Sequence, residues 1–149
     1  MISIRKMKET DRAEVLSMMR VFFDSPAVLH TAPDEILERN INDCIGDMPF
    51  VEGFILEDGG TIAGYSVIAK GYTTEYGGLC IWIEDIYIKP EYRRRGLASA
   101  LFHYLETRYE EAVRFKMETE PDNAAALKAY KRNGYQVSPY YILTKEVDA

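Results

Sequence analysis

Three consecutive arginines followed by a glycine and a small residue, Arg93-Arg94-Arg95-Gly96-Leu97-Ala98, make the stretch of this sequence best suited to chemistry. An apolar, strand-like run, Ile81-Trp82-Ile83-Glu84-Asp85-Ile86-Tyr87-Ile88, leads into it, and Pro90 ends that run. From Leu97 and Ala98 through Ala100, Leu101, Phe102 and Leu105 the apolar residues fall at helical spacing. A strand, a tight turn and a helix start in that order leave backbone N–H groups pointing out of the turn, at the positive end of a helix and among guanidinium groups. Such a turn binds phosphate. Gly96 and Ala98 suit it because their small size lets a ligand approach the backbone, which a merely basic patch would not require. Neither Gly-x-x-x-x-Gly-Lys-Ser/Thr nor a full Gly-x-Gly-x-x-Gly is present, so a triphosphatase loop and a dinucleotide fold are unsupported.

The elements that must hold this turn can be read from pattern. Residues 2–7 alternate weakly as a strand, and Thr10 or Asp11 can cap a helix carrying Val15, Met19, Phe22 and Phe23. Pro33 is placed to open a second helix with Ile36, Leu37, Ile41 and Cys44 on its apolar face. Residues 50–56 and 61–69 read as strands joined through Asp58-Gly59-Gly60, a hairpin signal. A glycine- and tyrosine-containing turn at 71–78 precedes a strand at 79–88, and a helix is expected over about 96–110. Residues 112–119 read as a strand, Asp122 or Asn123 opens a helix, and Asn133-Gly134 ends it with a left-handed cap. Residues 135–147 are expected to supply a last extended segment or pair. With no repeat, linker or low-complexity tract, residues 1–149 read as one mixed α/β domain.

A second motif narrows the ligand. Asn123 through Tyr130, with Lys131-Arg132-Asn133-Gly134-Tyr135, resembles the Asn-x-x-Ala-x-x-x-Tyr-x-x-x-Gly-Phe/Tyr segment of the GNAT superfamily of acyl-CoA-dependent N-acetyltransferases. Arg93-x-x-Gly96-x-Ala98 is similar to the turn with which that family cradles the CoA pyrophosphate. Both motifs occur in the family's order, and the resemblance covers roughly residues 2–145. It implies an α/β (α+β) GNAT fold: a mixed, mostly antiparallel sheet of six to seven strands, flanked by about four helices and split near the acetyl-CoA site. It also implies a cofactor set of Arg93, Arg94, Arg95, Gly96, Leu97, Ala98 and Ser99 at the turn, with Ile86, Tyr87 and Ile88 beside the pantetheine arm. Asn123 would hold the cofactor or the neighbouring loop. An N–H near Ile86 could polarise the acetyl carbonyl.

The resemblance extends to catalysis. Tyr130 matches a tyrosine that protonates the departing thiolate in many family members, and a phenol and a thiol are close enough in pKa for that transfer. The competing reading is that Tyr130 merely packs. An alkyl ammonium has no lone pair, so an acceptor amine needs a base. Ile83-Glu84-Asp85-Ile86 is similar to the Leu-Glu-Asp-Phe segment of polyamine and related small-amine acetyltransferases, which implies Glu84 as that base, directly or through water. Glu84 could instead be an ordinary charge at a sheet opening or a partner of an arginine, with solvent taking the proton. Being adjacent on a strand, Glu84 and Asp85 are expected on opposite faces, so that only one can serve. Tyr72 and Tyr76 either wall the acceptor pocket or cover the sheet edge, and Phe22, Phe23, Asp24 and His30 lie where acceptor specificity would be set.

Composition bounds the partners. The net charge of −6 hides twelve acidic and two basic residues between 21 and 86, against ten basic and seven acidic between 87 and 132. One part of the chain suits a cationic ligand and the other an anionic one. Overall acidity argues against nucleic acid and against a toxin acting on charged tRNA. His30 and His103 stand alone and the two cysteines, Cys44 and Cys80, sit in apolar contexts, so no metal site and no disulfide is expected. No signal-peptide pattern and no apolar run of membrane-spanning length occurs, making the expected location cytoplasmic without a membrane partner. The expected activity is acetyl transfer from acetyl-CoA to a primary amine of a small molecule or peptide, such as a polyamine, an amino sugar, a lysine side chain or an N-terminus. The alternative is a GNAT-fold acyl-CoA sensor with little transferase activity. By analogy with family members, residues 135–147 are a candidate homodimer interface.

Overall fold

Gly59 and Gly60 take φ of +62° and +82°, the paired left-handed conformation that a two-residue hairpin turn requires. They join β2 (Val51–Asp58) to β3 (Thr61–Thr73) in the computed structural model, which describes residues 1–147. β1 (Ile2–Lys6) lies antiparallel on the other edge of β2, and β4 (Gly78–Ile88) antiparallel on β3. β5 (Arg114–Met117) completes the order β1-β2-β3-β4-β5 and runs parallel to β4. The turn expected at 71–78 is shorter than its sequence suggested, since β3 continues to Thr73.

Helices cover both faces. α1 (Arg12–Phe23) and α2 (Asp34–Ile45) bury Val15, Met19, Leu37 and Ile41 against Ile55, Tyr65 and Tyr87 of the sheet. α3 (Leu97–Arg108) buries Leu97, Leu101, Phe102 and Leu105 on the opposite face against Phe54, Leu56, Ile81 and Ile83. α4 (Ala124–Arg132) follows β5 and sets Tyr130 against the Phe102 ring. Cys44 and Cys80 are buried, free thiols. Asp11 stands at the N-cap of α1 as expected, but its side chain turns back, accepting two hydrogen bonds from Arg5 and one from the Lys8 N–H and tying β1 to the start of α1. Five strands form among the described residues, where six or seven were expected. Residues 135–147 carry no strand; Pro139 removes a ladder donor midway, and Val137, Tyr141 and Leu143 stand exposed.

One bulge positions the site. Val67 pairs with Asp85, but the next residue, Ile68, pairs with Ile83, leaving Glu84 as the extra residue of β4. The face covered by α3 is served by Ile81 and Ile83 before the bulge and by Ile86 and Ile88 after it. Pairing with β5 stops at the same place, at Ile83 opposite Met117. From Glu84 onward β4 keeps one strand neighbour among the described residues, β3, and its other edge is unpaired by them.

The end of α3 is fastened to the sheet by a single carboxylate. Glu52 receives Lys6 at 3.0 Å, Lys70 at 3.1 Å, Arg108 at 3.0 Å and the Tyr109 hydroxyl. Its side chain is 12% exposed. Burial opposes its ionisation, yet the Tyr109 hydrogen bond and the three cations prevail and hold its pKa down to about 2. A carboxylate with a depressed folded pKa contributes stability that is present above the unfolded value and is lost as pH falls through the folded one. Urea denaturation is therefore expected to show stability falling between about pH 4.5 and pH 2. Glu52→Gln is expected to remove part of that slope and to cost about 2 kcal/mol at neutral pH, a figure reduced for the partial exposure of its lysine partners. An unchanged slope in Glu52→Gln would show that other carboxylates carry it.

Candidate active site

Backbone conformation at the arginine turn is unusual in the way a ligand-binding turn is. Arg94 has φ +63°, the one positive φ outside glycine among the described residues, and Gly96 has φ +85° at the N-cap of α3. A Cβ at Gly96 would meet nothing within 4 Å, so the glycine is needed for its conformation and leaves open space above the helix end. Buried Leu97 anchors the helix, while Arg93, Arg94, Arg95 and Ser99 are exposed around its start. The N–H groups of Leu97, Ala98 and Ser99 belong to the first turn, where no carbonyl of a preceding turn is available to them. Arg95 pairs with Asp58 at 3.6 Å and lies over the Tyr92 ring. Together these residues fit the diphosphate of an acyl-CoA: exposed cations, free donors and a helix dipole of the correct sign.

The open edge of β4 leads directly to this turn. Lys89 donates its N–H to the Ala63 carbonyl, so residues of its phase, Tyr87 and Asp85, aim their main-chain groups at β3. Ile86 and Ile88 therefore present N–H and C=O to the side that β5 has left. The Arg93 side chain donates to the Ile88 carbonyl at 2.9 Å, consistent with that direction. An extended ligand with amide groups can pair with such an edge as a strand would. Tyr87 itself points to the other face, with its ring against Phe22 and Tyr65.

On that other face lies a pocket of about 320 Å³ walled by Phe23, Phe50, Val51 and Val67. Its polar groups are Asn40, Asp43, Glu84 and Asp85. The expectation that Glu84 and Asp85 point to opposite faces is wrong: the bulge places one after the other on the same face, and both line this pocket. Their environments differ. Glu84 is exposed at the opening, and its pKa is raised by the protein atoms around it and by the charge of Glu118. Asp85 is only 9% exposed, and its carboxylate accepts the Tyr65 hydroxyl at 3.0 Å. Burial pushes its pKa up to about 7, the Tyr65 hydrogen bond opposes, and the Glu84 charge adds to the rise.

Tyr130 is on the α3 face, half-buried, with its pKa raised by burial so that the phenol holds its proton. Asn123 serves α4 itself, its side chain accepting the Ala126 N–H at 3.4 Å, and Asn133 at the far end donates to Ser99 at 3.1 Å. α4 is thereby tied to the first turn of α3. His30 and His103 are exposed and apart from the pocket. Tyr76 lies under the Arg114 guanidinium at the far end of the β3–β4 hairpin, and Tyr72 is exposed there, so neither lines the pocket. Of the four residues flagged near the acceptor side, Phe23 reaches the pocket and Phe22 packs in the core. Sequence reading missed Asn40, Asp43, Phe50 and Tyr65. Asn40 and Asp43 could have been found, since they lie three apart on one side of the second helix.

Comparison with known proteins agrees with this geometry. The family model of the acetyltransferase (GNAT) family matches residues 15–135. Thialysine N-epsilon-acetyltransferases of Bos taurus and Sus scrofa are 29% and 30% identical over 109 residues, covering 67% of this chain. The aligned part spans 62% of the length of these curated relatives. A possible acetyltransferase from Clostridium difficile 630 superposes with a TM-score of 0.82 at 18% identity over 99% of both chains. The aminoglycoside N-acetyltransferase AAC(6')-Iy, solved with the bisubstrate analog CoA-S-monomethyl-acetylneamine, gives 0.81 at 16% identity over 99% of both. The sheet that opens after Ile83 and the helix that starts at Leu97 have the fold of an acyltransferase, and the chain belongs to the GNAT acetyltransferase family.

Proposed function

We propose that this protein transfers an acetyl group from acetyl-CoA directly to a primary amine within a ternary complex. The observation that carries the reading is the gap in the sheet after Ile83: β4 runs from it to the phosphate turn at the start of α3, and a carboxylate-lined pocket lies beside it on the α1–α2 face. Bound acetyl-CoA supplies the acetyl group as an activated thioester. Arg93, Arg94 and Arg95, with the N–H groups from Gly96 to Ser99, hold its diphosphate, and Ile86 and Ile88 pair with its pantetheine arm. Tyr87 lends its backbone to that strand, and Asn123 acts by capping α4, which carries Tyr130.

Glu84 takes a proton from the acceptor ammonium, freeing the nitrogen lone pair to attack the acetyl carbon. The Ile86 N–H donates to the carbonyl oxygen as negative charge gathers there. As the carbon–sulfur bond breaks, Tyr130 gives its proton to the sulfur and the free thiol leaves; the proton that the acylated nitrogen then sheds restores the phenol. The acidic pocket favours a cationic acceptor, and its volume suits a small molecule, an amino sugar or an amine at the end of a flexible chain. Among the described residues no helix is long and apolar enough to cross a membrane, in keeping with the cytoplasmic location we propose. A second copy of the chain is the partner we propose for residues 135–147, whose exposed Tyr141 and Leu143 need cover.

Incubation with acetyl-CoA and a panel of primary amines, followed by assay of free CoA, is expected to reveal amine-dependent turnover. CoA binding without turnover on any amine would instead make the protein an acyl-CoA sensor. With a good acceptor, Glu84→Gln is expected to lower kcat/KM about 100-fold, less so at high pH where the amine loses its proton unaided. Because the Glu84 pKa is raised, the acidic limb of the wild-type profile should lie above the ordinary carboxylate range, with activity increasing as pH rises through it. Tyr130→Phe is expected to lower kcat about tenfold or more. Wild-type rates in both variants would reject these roles. Gly96→Ala, which sets an alanine at φ +85°, is expected to raise KM for acetyl-CoA about tenfold. Light scattering is expected to give twice the chain mass, reverting to one on Tyr141→Asp with Leu143→Asp; a wild-type monomer would dismiss the dimer.

A further inference from the structure

We infer that Asp85, oriented by the Tyr65 hydroxyl, determines acceptor specificity by binding a second cationic group, so that the acceptor is a linear aliphatic diamine. This rests on the transferase reading above and narrows it. The pocket carries three carboxylates, Asp43, Glu84 and Asp85, and among the described residues no lysine or arginine lines it. One ammonium over Glu84 leaves Asp43 and Asp85 without a counter-charge. Asp85 is nine-tenths buried, and among the described residues the Tyr65 hydroxyl on Oδ2 is its one side-chain partner. Its backbone is fixed as well, with the Asp85 carbonyl accepting the Ser66 hydroxyl at 2.8 Å. A carboxylate held this firmly, with capacity for further donors, is built to receive a hydrogen bond from the cavity.

Among the described residues no cation pairs with Asp85, and Lys6, whose charge reaches Cys44, is committed to Glu52. From β3, Tyr65 faces Asp85 with a hydroxyl that burial keeps protonated; Tyr87 and Glu84 lie on its own strand, and Asp43 and Cys44 come from α2. Only a ligand can bring positive charge to it. The walls between the carboxylates, Phe23, Phe50, Val51 and Val67, are apolar and suit methylenes. Two ammonium groups on an alkyl spacer match this alternation of charge and hydrocarbon, whereas an amino sugar would bury hydroxyls against those walls without partners.

The experiment compares 1,n-diaminoalkanes with 1-aminoalkanes of the same length for n from three to eight, using wild type, Asp85→Asn, Tyr65→Phe and Asp47→Asn. Wild type is expected to favour the diamine in kcat/KM by about 10- to 100-fold at an optimal length, the strength of a charge-assisted hydrogen bond. Asp85→Asn is expected to bring that ratio to within about threefold of one, chiefly through KM, and Tyr65→Phe to reduce it in part. Asp47→Asn alters an exposed carboxylate beyond the pocket and is expected to retain the preference. Structural damage would slow diamine and monoamine alike, leaving the ratio in place. A wild-type ratio near one, or an undiminished ratio in Asp85→Asn, overturns the inference while leaving amine acetylation standing. No turnover with any amine overturns the transferase reading as well.

Discussion

β4 can stay in register with β3 only by accommodating one residue too many between Ile83 and Asp85, and most of what the site can do depends on that accommodation. An extra residue reverses which side chains face which helices, so the apolar alternation that packs Ile81 and Ile83 under α3 resumes at Ile86 and Ile88. Two adjacent acids are thereby turned to the α1–α2 face. A bulge also bends its strand and increases the local twist. β5, four residues long and paired only as far as Ile83, does not follow the bend. The same irregularity therefore collects the carboxylates and opens the edge beside which they sit.

Charge is divided across that opening. The acidic stretch of the chain folds into α2, β2, β3 and most of β4 and includes the three carboxylates of the pocket, while the arginine turn and the C-terminal end of α4 carry basic residues. The three pocket acids and the exposed arginines of the turn thus stand apart, each set presenting one sign of charge. The fold must hold these halves together despite interrupting its own sheet. Glu52 helps on the intact side, where one carboxylate draws cations from β1, β3 and α3. Removing that acid would leave three positive charges crowded at one place, so the network is stabilising mainly because breaking it is costly.

Local chemistry was legible in the sequence and non-local pairing was not. The Gly59-Gly60 turn, the Arg93–Gly96 turn and the Asn133-Gly134 helix end all announce themselves, because glycine at a left-handed position is a constraint felt within a few residues. The helix α4 was legible for a related reason: its cap at Asn123 and its apolar face up to Tyr130 lie within one short segment. The bulge left no such mark. Residues 81–88 hold six apolar or aromatic residues around Glu84-Asp85, and with Trp82 and Tyr87 filling the alternate positions the step of the isoleucines from 81 and 83 to 86 and 88 marks no clear break in phase. For that reason the strand was correctly placed while the direction of Asp85 was not. The missing final strands have another cause. Residues 135–147 have the aromatic and β-branched content of a strand, but strand formation depends on a partner edge, and β5 offers a short one.

Glu84 and Asp85 come from one dipeptide, yet their surroundings prepare them for different tasks. Glu84, at the opening and beside Glu118, can release to solvent a proton it has accepted, as the base of the proposed reaction must do once per turnover. Asp85 has no comparable access: it is enclosed by Tyr65, Cys44 and the pocket walls, and ionising it without a cation is costly enough to push its pKa to about 7. Such a group is a poor proton shuttle and a good detector of charge, because an ammonium entering the pocket favours the carboxylate form and gains a strong partner in doing so. Burial thus converts the more acidic side chain of the pair into the more selective one. The exposed neighbour is left free to exchange protons, so the binding and the deprotonation we propose need not compete for the same carboxylate.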